Sequence, residues 1–475
     1  MTSDVNVRLL ALETLLAVTK EGQYSHIVLG QTLEKYQYLS KQERSFLTRL
    51  CEGTLEQMLR IDYVLNQFSN VKVNKMKPVI RCILRCGVYE LLFMDKVPPQ
   101  AACNEAVKLT QKKGFSNLKG FVNGVLRNIS RNKDRIVWPD PKEEPLSWLS
   151  VNYSMPEWIL EEWVLQYGME QTREILEAFL APSPTCIRVN TGRITRAQLM
   201  ERLEQEGVTV HENPLVPESL FLTEYDFLGR IPSFQEGLFY VQDTSSMLAV
   251  QAAGSLLMEE REAARSAGSR PMEEREAARS AGSLRGGDDR AAGPMRVLDV
   301  CGAPGGKSVC LAQLLGEESL VEARDLTEGK VELIRRNIAR CRLPNIRAQV
   351  KDARIFYPED EKTADLVLAD LPCSGLGVIG RKPDIKYRMT REQIKELAAL
   401  QREMLHTVCA YVRPGGILLY STCTISQREN EENVEWFLKE HPDFSLKEQR
   451  QLLPKAGLMD GFFYGAMRRA EEGVL

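Results

Sequence analysis

The stretch Asp299-Val-Cys-Gly-Ala-Pro-Gly-Gly-Lys307 joins an apolar run to an amphipathic run, and it indicates the fold class of the second half of the chain. The apolar run, residues 295–300, predicts a buried strand, and residues 308–315 predict a helix. A glycine-rich turn from strand to helix lets a ligand approach backbone N–H groups without meeting a side chain. The loop does not fit the Gly-x4-Gly-Lys-Ser/Thr frame of a phosphate-binding P-loop.

An acidic residue follows this loop at a distance typical of nucleoside binding. Asp325 lies nineteen residues after Gly306 and ends the next apolar run, residues 319–325. A carboxylate about 20 residues beyond such a loop can accept the hydroxyl protons of a ribose. Ordinary tight turns also produce this glycine pattern, so the prediction of a nucleoside site depends on residues at neighbouring strand ends.

Length and composition indicate a globular protein of two or three domains. The chain has 475 residues, of which 43% are hydrophobic and 27% are charged. No apolar run reaches the roughly 18 residues needed to span a bilayer, and residues 1–16 lack a signal-peptide core. The 11 cysteines form no Cys-x-x-Cys pair, and only 4 histidines occur. We therefore expect a cytosolic protein, a monomer, with no membrane contact, no disulfide framework and no metal site.

Charge is distributed unevenly along the chain. Residues 1–140 carry 21 Lys and Arg against 13 Asp and Glu, a net charge of +8, whereas the whole chain carries -3. Because phosphate contacts provide most non-specific nucleic-acid affinity, a basic first domain on an acidic body indicates a polyanion partner. A solvated basic surface without a partner is the alternative.

Residues 1–140 are predicted to form an all-helical bundle, since apolar residues recur at helical spacing. Helices are expected over residues 7–18, 43–59, 78–93, 100–111 and 117–131. Two basic clusters supply an RNA-binding face: Lys72, Lys75, Lys77, Arg81 and Arg85, and then Lys108, Lys112, Lys113, Lys119, Arg127, Arg131, Lys133 and Arg135. Cys82 and Cys86 lie one turn apart and are predicted to be core residues.

Residues 141–236 are expected to contain linker helices and a small α/β unit that is compatible with an RRM-like fold. Its strands lack the aromatic signature with which RRM domains stack bases, so single-strand stacking is not predicted for it. Residues 237–475 form the third domain, which a 12-residue duplication interrupts at 258–269 and 272–283. The duplicated segment is too polar to bury a core, and we interpret residues 258–294 as a flexible or weakly helical surface insertion.

From residue 295 onward, strand patterns alternate with helix patterns. Strands are expected at 295–300, 319–325, 346–351, 364–370, 416–421 and 461–467, and helices at 306–315, 327–341, 390–411 and 427–440. Such alternation predicts a Rossmann-like parallel sheet with helices on both faces, which binds ligands beyond the carboxyl ends of its strands. Five polar side chains fall at or just after these ends: Asp299, Asp325, Asp352, Asp370 and Cys423.

Two thiols lie near the predicted nucleoside site, in Asp370-Leu-Pro-Cys373 and Thr422-Cys423. Cysteine is a good nucleophile only as the thiolate, and the nearby Lys307 could favour that form. Each thiol could also be a small buried hydrophobic group, which is the interpretation for Cys310, Cys341 and Cys409. Cys301 lies in the glycine loop and could be either a functional thiol or a small buried hydrophobic group.

The glycine loop, Asp370-Leu-Pro-Cys-Ser-Gly375 and Ser421-Thr-Cys423 followed by Glu429-Asn430 together resemble the RNA cytosine-C5 methyltransferases. The helical N-terminus resembles the NusB fold, and the combination resembles the bacterial 16S rRNA methyltransferase B family. The resemblance implies that Cys423 is the nucleophile, that Cys373 assists product release, and that Arg381-Lys-Pro-Asp384 belongs to a substrate loop. It also implies that S-adenosylmethionine is bound by Cys301, Gly302, Ala303, Pro304, Gly305, Gly306, Lys307, Asp325, Asp352 and Asp370.

This chemistry gives each of the two cysteines a purpose. Attack of the Cys423 thiolate on C6 of cytosine makes C5 nucleophilic enough to take a methyl group. Asp370 would offset charge on the ring, and Cys373, directly or through water, would remove the C5 proton. The resemblance points to 16S rRNA, at cytosine 967. A tRNA cytosine-C5 methyltransferase and a non-catalytic RNA-binding or antitermination protein remain alternatives.

Overall fold

The computed structural model describes residues 5–268 and 294–471, which form two compact units. The first, called the helical unit, comprises the chain up to Ala181 together with the segment Ile379–Met389. The second, called the α/β unit, comprises Pro182–Val378 and the chain from Thr390 onward. No helix among these described residues is both long enough and apolar enough to cross a bilayer.

The helical unit is a bundle around an aliphatic core. Helix α5 begins with a proline at its first turn, where the missing N–H costs no hydrogen bond. Ser40 and Glu43 cap the start of α3 reciprocally. In the described chain before Ala181, the helices are α1 Val7–Thr19, α2 Ser25–Lys35, α3 Lys41–Glu56, α4 Met58–Phe68, α5 Pro78–Phe93, α6 Pro99–Lys112, α7 Lys119–Arg131, α8 Pro145–Asn152 and α9 Glu157–Leu180.

The compact helical unit extends to Ala181, beyond the predicted NusB-like domain of residues 1–140, because α8 packs on α4 and on α9. Arg85, assigned to a basic face, is buried instead, and its guanidinium donates to Asp62 at 2.7 and 2.6 Å. Cys82 and Cys86 are buried, as expected of core residues.

The α/β unit begins with a small antiparallel sheet in the order β2-β3-β1-β4. Helix α10 supplies Leu199 and Leu203 to the core beneath this sheet. Thr195 and Gln198 cap the start of that helix. The elements are β1 Thr185–Val189, α10 Arg196–Gln205, β2 Thr209–Glu212, β3 Ser219–Thr223, α11 Pro232–Gln235 and β4 Phe239–Val241.

A seven-stranded sheet in the order β10-β11-β9-β8-β5-β6-β7 follows. The five strands from β9 to β7 are parallel, whereas β11 runs antiparallel to both β9 and β10. The strands are β5 Arg296–Asp299, β6 Leu320–Asp325, β7 Ile346–Val350, β8 Ala364–Asp370, β9 Val412–Thr422, β10 Phe444–Leu452 and β11 Phe462–Arg469. The sheet is thus mixed rather than wholly parallel, and the polar edge strand β10 was not predicted.

Helices cover both faces of this sheet. They are α12 Thr244–Gly268, α13 Gly306–Leu315, α14 Glu328–Cys341, α16 Arg391–Val408 and α17 Glu431–Glu440, while the short α15 Ile385–Arg388 belongs to the segment in the helical unit. Single 3-10 turns occur at Val73–Lys75, Ser116–Leu118, Lys133–Arg135, Leu228–Arg230, Pro358–Asp360 and Cys409–Tyr411. Helix α12 ends at Gly268, within the predicted insertion 258–294, and residues 269–293 of that insertion lie outside the described residues.

Candidate active site

The glycine loop connects β5 to α13 at the carboxyl end of the parallel strands. Gly305 caps the helix with φ 110°, a left-handed conformation that favours glycine. A Cβ added at Gly302 would lie 3.1 Å from the carboxyl group of Asp299, so a larger residue would press on that carboxyl group. The loop therefore leaves its backbone and the start of α13 open to a ligand.

A cavity of about 170 Å³, open to solvent, lies against this loop. The β4–α12 connection forms the opposite wall. The lining residues are Tyr240, Val241, Gln242, Asp243, Ser246, Asp299, Cys301, Gly302, Ala303, Pro304, Gly306, Lys307 and Asp370.

Asp299 is a buried carboxyl group in this cavity. Its Oδ2 accepts from the hydroxyl of Ser308, whereas its Oδ1 has no hydrogen-bond partner among the residues that the structure describes. Burial raises the pKa of Asp299 to about 7. A buried acceptor without a partner fits a ligand that carries a donor or a positive charge, such as the ammonium group of S-adenosylmethionine.

Three predicted cofactor residues, Gly305, Asp325 and Asp352, lie outside the lining of this cavity. Asp325 ends β6, and its Oδ2 accepts from the backbone N–H of Ala303 at 3.1 Å, so it holds the glycine loop directly. Lys330 also pairs with its Oδ1 at 3.0 Å. Asp352 faces a smaller recess and pairs with Arg354 at 2.6 Å, an interaction that lowers the pKa of Asp352.

Asp370 ends β8 and is held from two sides. Its Oδ2 accepts from Lys307 Nζ at 2.6 Å, and its Oδ1 accepts from the hydroxyl of Ser421 at 2.9 Å. Burial opposes the charged form of Lys307, but the carboxylate of Asp370 outweighs burial and raises the pKa of Lys307. About a quarter of the Asp370 side chain (27%) stays exposed, so the carboxylate can also contact a ligand.

The two thiols of the sequence motifs meet at the ends of neighbouring parallel strands. Asp370 and Ser421 are paired in register, and Cys373 and Cys423 follow them by three and two residues. The two Sγ atoms lie 3.3 Å apart. The hydrogen bond with Cys423, then burial and the charge of Cys423, raise the pKa of Cys373 well above its ordinary value. Cys373 is therefore the thiol that keeps its proton.

The remaining cysteine of the predicted site, Cys301, lines the cavity at the glycine loop. Burial raises the pKa of its thiol, which favours the protonated form. Cys310, Cys341 and Cys409 are buried, as predicted for core residues.

Glu429 is a site residue that the sequence analysis quoted only as part of a motif. Its carboxylate accepts from the backbone N–H of Ser374 at 2.8 Å and from the Ser374 hydroxyl at 2.6 Å. Gln401 donates to it at 3.2 Å, and burial raises the pKa of Glu429. Glu429 thus fixes the turn that carries Cys373. Its position soon after Ser421-Thr-Cys423 was the available signal.

The wall from Tyr240 to Asp243 was not predicted to take part in the site. Tyr240 donates its hydroxyl proton to the carbonyl of Pro304 at 3.2 Å, and Asp243 accepts from Ser245.

This sheet order, the glycine loop after β5 and the acceptor-lined cavity define a class, the S-adenosylmethionine-dependent methyltransferases. Family models match as follows: 16S rRNA methyltransferase RsmB/F at residues 291–468, the NusB family at 5–131, and the RsmF/B-like ferredoxin-like domain at 155–226. These matches confirm the predicted NusB-like bundle, the small α/β unit and the Rossmann-like domain.

Similar proteins extend over the whole chain. A Bacillus subtilis protein named "Probable ribosomal RNA small subunit methyltransferase B" is 34% identical over 98% of this chain and 99% of its own. The Proteus mirabilis ribosomal RNA small subunit methyltransferase B is 28% identical over 99% of this chain and 100% of its own. This chain belongs to the ribosomal RNA small subunit methyltransferase B family.

A solved structure supports the same fold. The methyltransferase homologue protein from Pyrococcus horikoshii is 25% identical, covers 70% of this chain and 100% of its own, and has a TM-score of 0.54.

Proposed function

We propose that this protein methylates C5 of a cytosine in 16S rRNA, with cytosine 967 as the target, through a covalent bond between Cys423 and C6 of the base. The observation that carries the proposal is the pair of thiols, 3.3 Å apart, beside an ion-paired carboxylate and the cofactor cavity. The names of the relatives supply the rRNA substrate class.

The environment of the two thiols divides the work between them. The raised pKa of Cys373 keeps its proton in place, so Cys373 can donate a hydrogen bond to Cys423 Sγ, 3.3 Å away. A thiolate can add to C6 of cytosine, and the addition makes C5 nucleophilic. S-adenosylmethionine, when bound, supplies the methyl group that C5 takes.

The same environment explains how Cys373 can act later. Once Cys423 is bonded to C6, it no longer carries the negative charge that raises the pKa of Cys373. Cys373 can then lose its proton and, directly or through water, take the proton from C5. Loss of that proton restores the aromatic ring and expels Cys423. Removal of Cys373 should therefore stop the reaction at the covalent adduct.

Asp370 is placed to hold the base during attack. Lys307 and Ser421 fix its two carboxylate oxygens, and a quarter of its side chain remains accessible. A preorganised carboxyl group can share a proton with N3 of the ring, where negative charge develops when the thiolate adds to C6. The target base must leave its stack to admit Cys423, which makes an unpaired RNA segment the better substrate.

The test is transfer of labelled methyl from S-adenosylmethionine to unmodified small-subunit rRNA and, in parallel, to unmodified tRNA. A denaturing gel of Cys373→Ala with rRNA should show a protein–RNA adduct, and the double variant Cys373→Ala, Cys423→Ala should show none. Label only in tRNA would overturn the substrate while keeping the chemistry. Cofactor binding without label in either RNA would overturn the enzymatic proposal.

A further inference from the structure

The segment Ile379–Met389 is ordered by buried contacts inside the helical unit. Asp384 accepts from the Ser25 hydroxyl and from its backbone N–H, the latter at 3.4 Å. Lys386 is buried and donates to the carbonyl of Glu56 at 2.9 Å. These contacts hold the segment against the start of helix α2, so the side chains that emerge from both elements share one surface.

That surface combines an exposed aromatic ring with basic groups, and we call Tyr24, His26, Lys382 and Arg388 the Tyr24 surface. Tyr24 is 51% exposed, and the Arg388 guanidinium lies 4.0 Å from its ring centroid. The His26 ring centroid lies 6.0 Å from that of Tyr24, at an interplanar angle of 51°. Arg388 is also 3.7 Å from Asp384, which limits where its guanidinium can lie.

The charges on this surface favour a polyanion. Asp384 is buried and occupied by Ser25 and Arg388, so its negative charge is not presented to solvent. Burial and then the positive charge of Lys382 lower the pKa of His26, so at neutral pH the imidazole is uncharged and acts as a flat ring. Tyr24 is the exposed ring of this surface, and the cations Lys382 and Arg388 beside it are half-buried.

An exposed ring next to fixed cations is the arrangement with which proteins hold single-stranded nucleic acid: a base stacks on the ring and its phosphates meet the cations. The RRM-like region within residues 141–236 lacks the aromatic stacking signature, and the Tyr24 surface lies outside that region. We propose that the Tyr24 surface binds an unpaired nucleotide of the RNA, with the base on Tyr24 and the phosphate on Lys382 and Arg388. The inference rests on the RNA substrate proposed above.

The helical unit also offers a matched control. Tyr38 is more exposed than Tyr24, at 65%, and its ring makes an edge contact with Tyr36 at 5.9 Å. It is therefore an accessible tyrosine of the same unit outside the Tyr24 surface. Comparison of Tyr24→Ala with Tyr38→Ala separates a local stacking site from a general loss of aromatic surface.

The experiment measures binding of a labelled single-stranded RNA and of its duplex to the full chain by fluorescence anisotropy, together with methyl-transfer kinetics. Tyr24→Ala should weaken single-strand binding about tenfold and raise KM with kcat unchanged, because each stacked base contributes substantially to affinity. Tyr24→Phe should bind as the parent does, since it keeps the ring. Duplex binding should not respond to Tyr24→Ala.

Three outcomes would overturn the inference: single-strand binding unaffected by Tyr24→Ala, an equal loss with Tyr38→Ala, or an equal loss for the duplex. A thermal melt of each variant identifies misfolding. If Tyr24→Ala misfolds, Tyr24→Phe still tests the inference, because a tenfold loss of single-strand binding in Tyr24→Phe would contradict stacking. Failure of the proposed function is distinguishable, since the parent would then bind RNA without transferring methyl groups.

Discussion

Two ion pairs with the same contact distance have opposite surroundings. In the helical unit, Arg85 and Asp62 meet at 2.6 Å, and 9% and 18% of the two side chains are exposed. In the α/β unit, Lys307 and Asp370 also meet at 2.6 Å, with 14% and 27% of the two side chains exposed, but both residues line the cavity at the glycine loop. The first pair is closed by packing and serves the fold, whereas the second remains open and can exchange contacts with a ligand.

The two ion pairs differ in their access to solvent rather than in the kinds of charge that they join. A buried pair loses its hydration on folding, so removal of one partner leaves an uncompensated charge. A pair at a cavity keeps access to solvent and can bind a ligand at little cost to the fold. Substitutions in the closed pair should therefore change stability, and substitutions in the open region should change activity.

The largest effect is expected in the open region, at Cys423. Cys423→Ala removes the proposed nucleophile and should lower methyl transfer more than about a thousandfold, because covalent catalysis is then lost. Cofactor affinity, measured by calorimetry, and the melting temperature should stay near the parent values. Retained turnover would contradict the assignment of Cys423.

The two ion pairs themselves provide the next test. Asp62→Ala should destabilise the helical unit by about 3 kcal/mol, because Arg85 is left buried without its partner. Asp370→Asn should leave denaturant unfolding almost unchanged and lower kcat about a hundredfold.

Glu105→Ala is the control for the closed pair, since Lys108 and Glu105 form an exposed pair at 2.7 Å. Loss of such a surface pair should cost less than about 1 kcal/mol. A similar loss of stability in Asp62→Ala and Glu105→Ala would remove the distinction between closed and open pairs.

A moderate effect is expected for Asp299, whose ionisation should make cofactor affinity depend on pH. Its pKa of about 7 means that the carboxylate becomes protonated as the pH falls through 7. If the ionised form meets the positive charge of S-adenosylmethionine, affinity should fall several-fold between about pH 8 and about pH 6. Asp299→Asn should bind more weakly and show a flat profile, and an unchanged slope would contradict this role.

Without cofactor, the same group should affect stability with the opposite sign. Its pKa is raised in the folded state, so between about pH 4 and about pH 7 the folded chain holds a proton that the unfolded chain has lost. This contribution to the unfolding free energy therefore falls as the pH rises through that window. Asp299→Asn should remove it in denaturant titrations.

The smallest effect is expected for the duplicated insertion. Deletion of the second copy, residues 272–283, should change methyl transfer less than about twofold, because polar surface segments tolerate changes of length. A scrambled segment of equal length is the control. A large loss of methyl transfer on deletion, but not on scrambling, would contradict the interpretation of residues 258–294 as a surface insertion.

The sequence determined the parts that depend on local pattern. Apolar runs fixed most strands of the large sheet, and the glycine loop fixed the turn at Gly305, because only local backbone chemistry is required there. Strand β10 was missed because its edge position leaves it polar, with the alternating pattern obscured by charged residues. The assignment of Arg85 to a basic face was wrong, because the spacing of basic residues does not reveal that Arg85 pairs with Asp62, 23 positions away.

Tertiary structure decided the properties that require distant residues to meet. Only the pairing of β8 with β9 brings Cys373 and Cys423, 50 positions apart, to 3.3 Å. Only burial raises the pKa of Asp299 and places Glu429 under the Cys373 turn. The packing of Ile379–Met389 in the helical unit likewise depends on contacts such as Asp384 with Ser25, 359 positions apart. Local sequence specifies elements, whereas burial and long-range packing set the distances and charges on which chemistry depends.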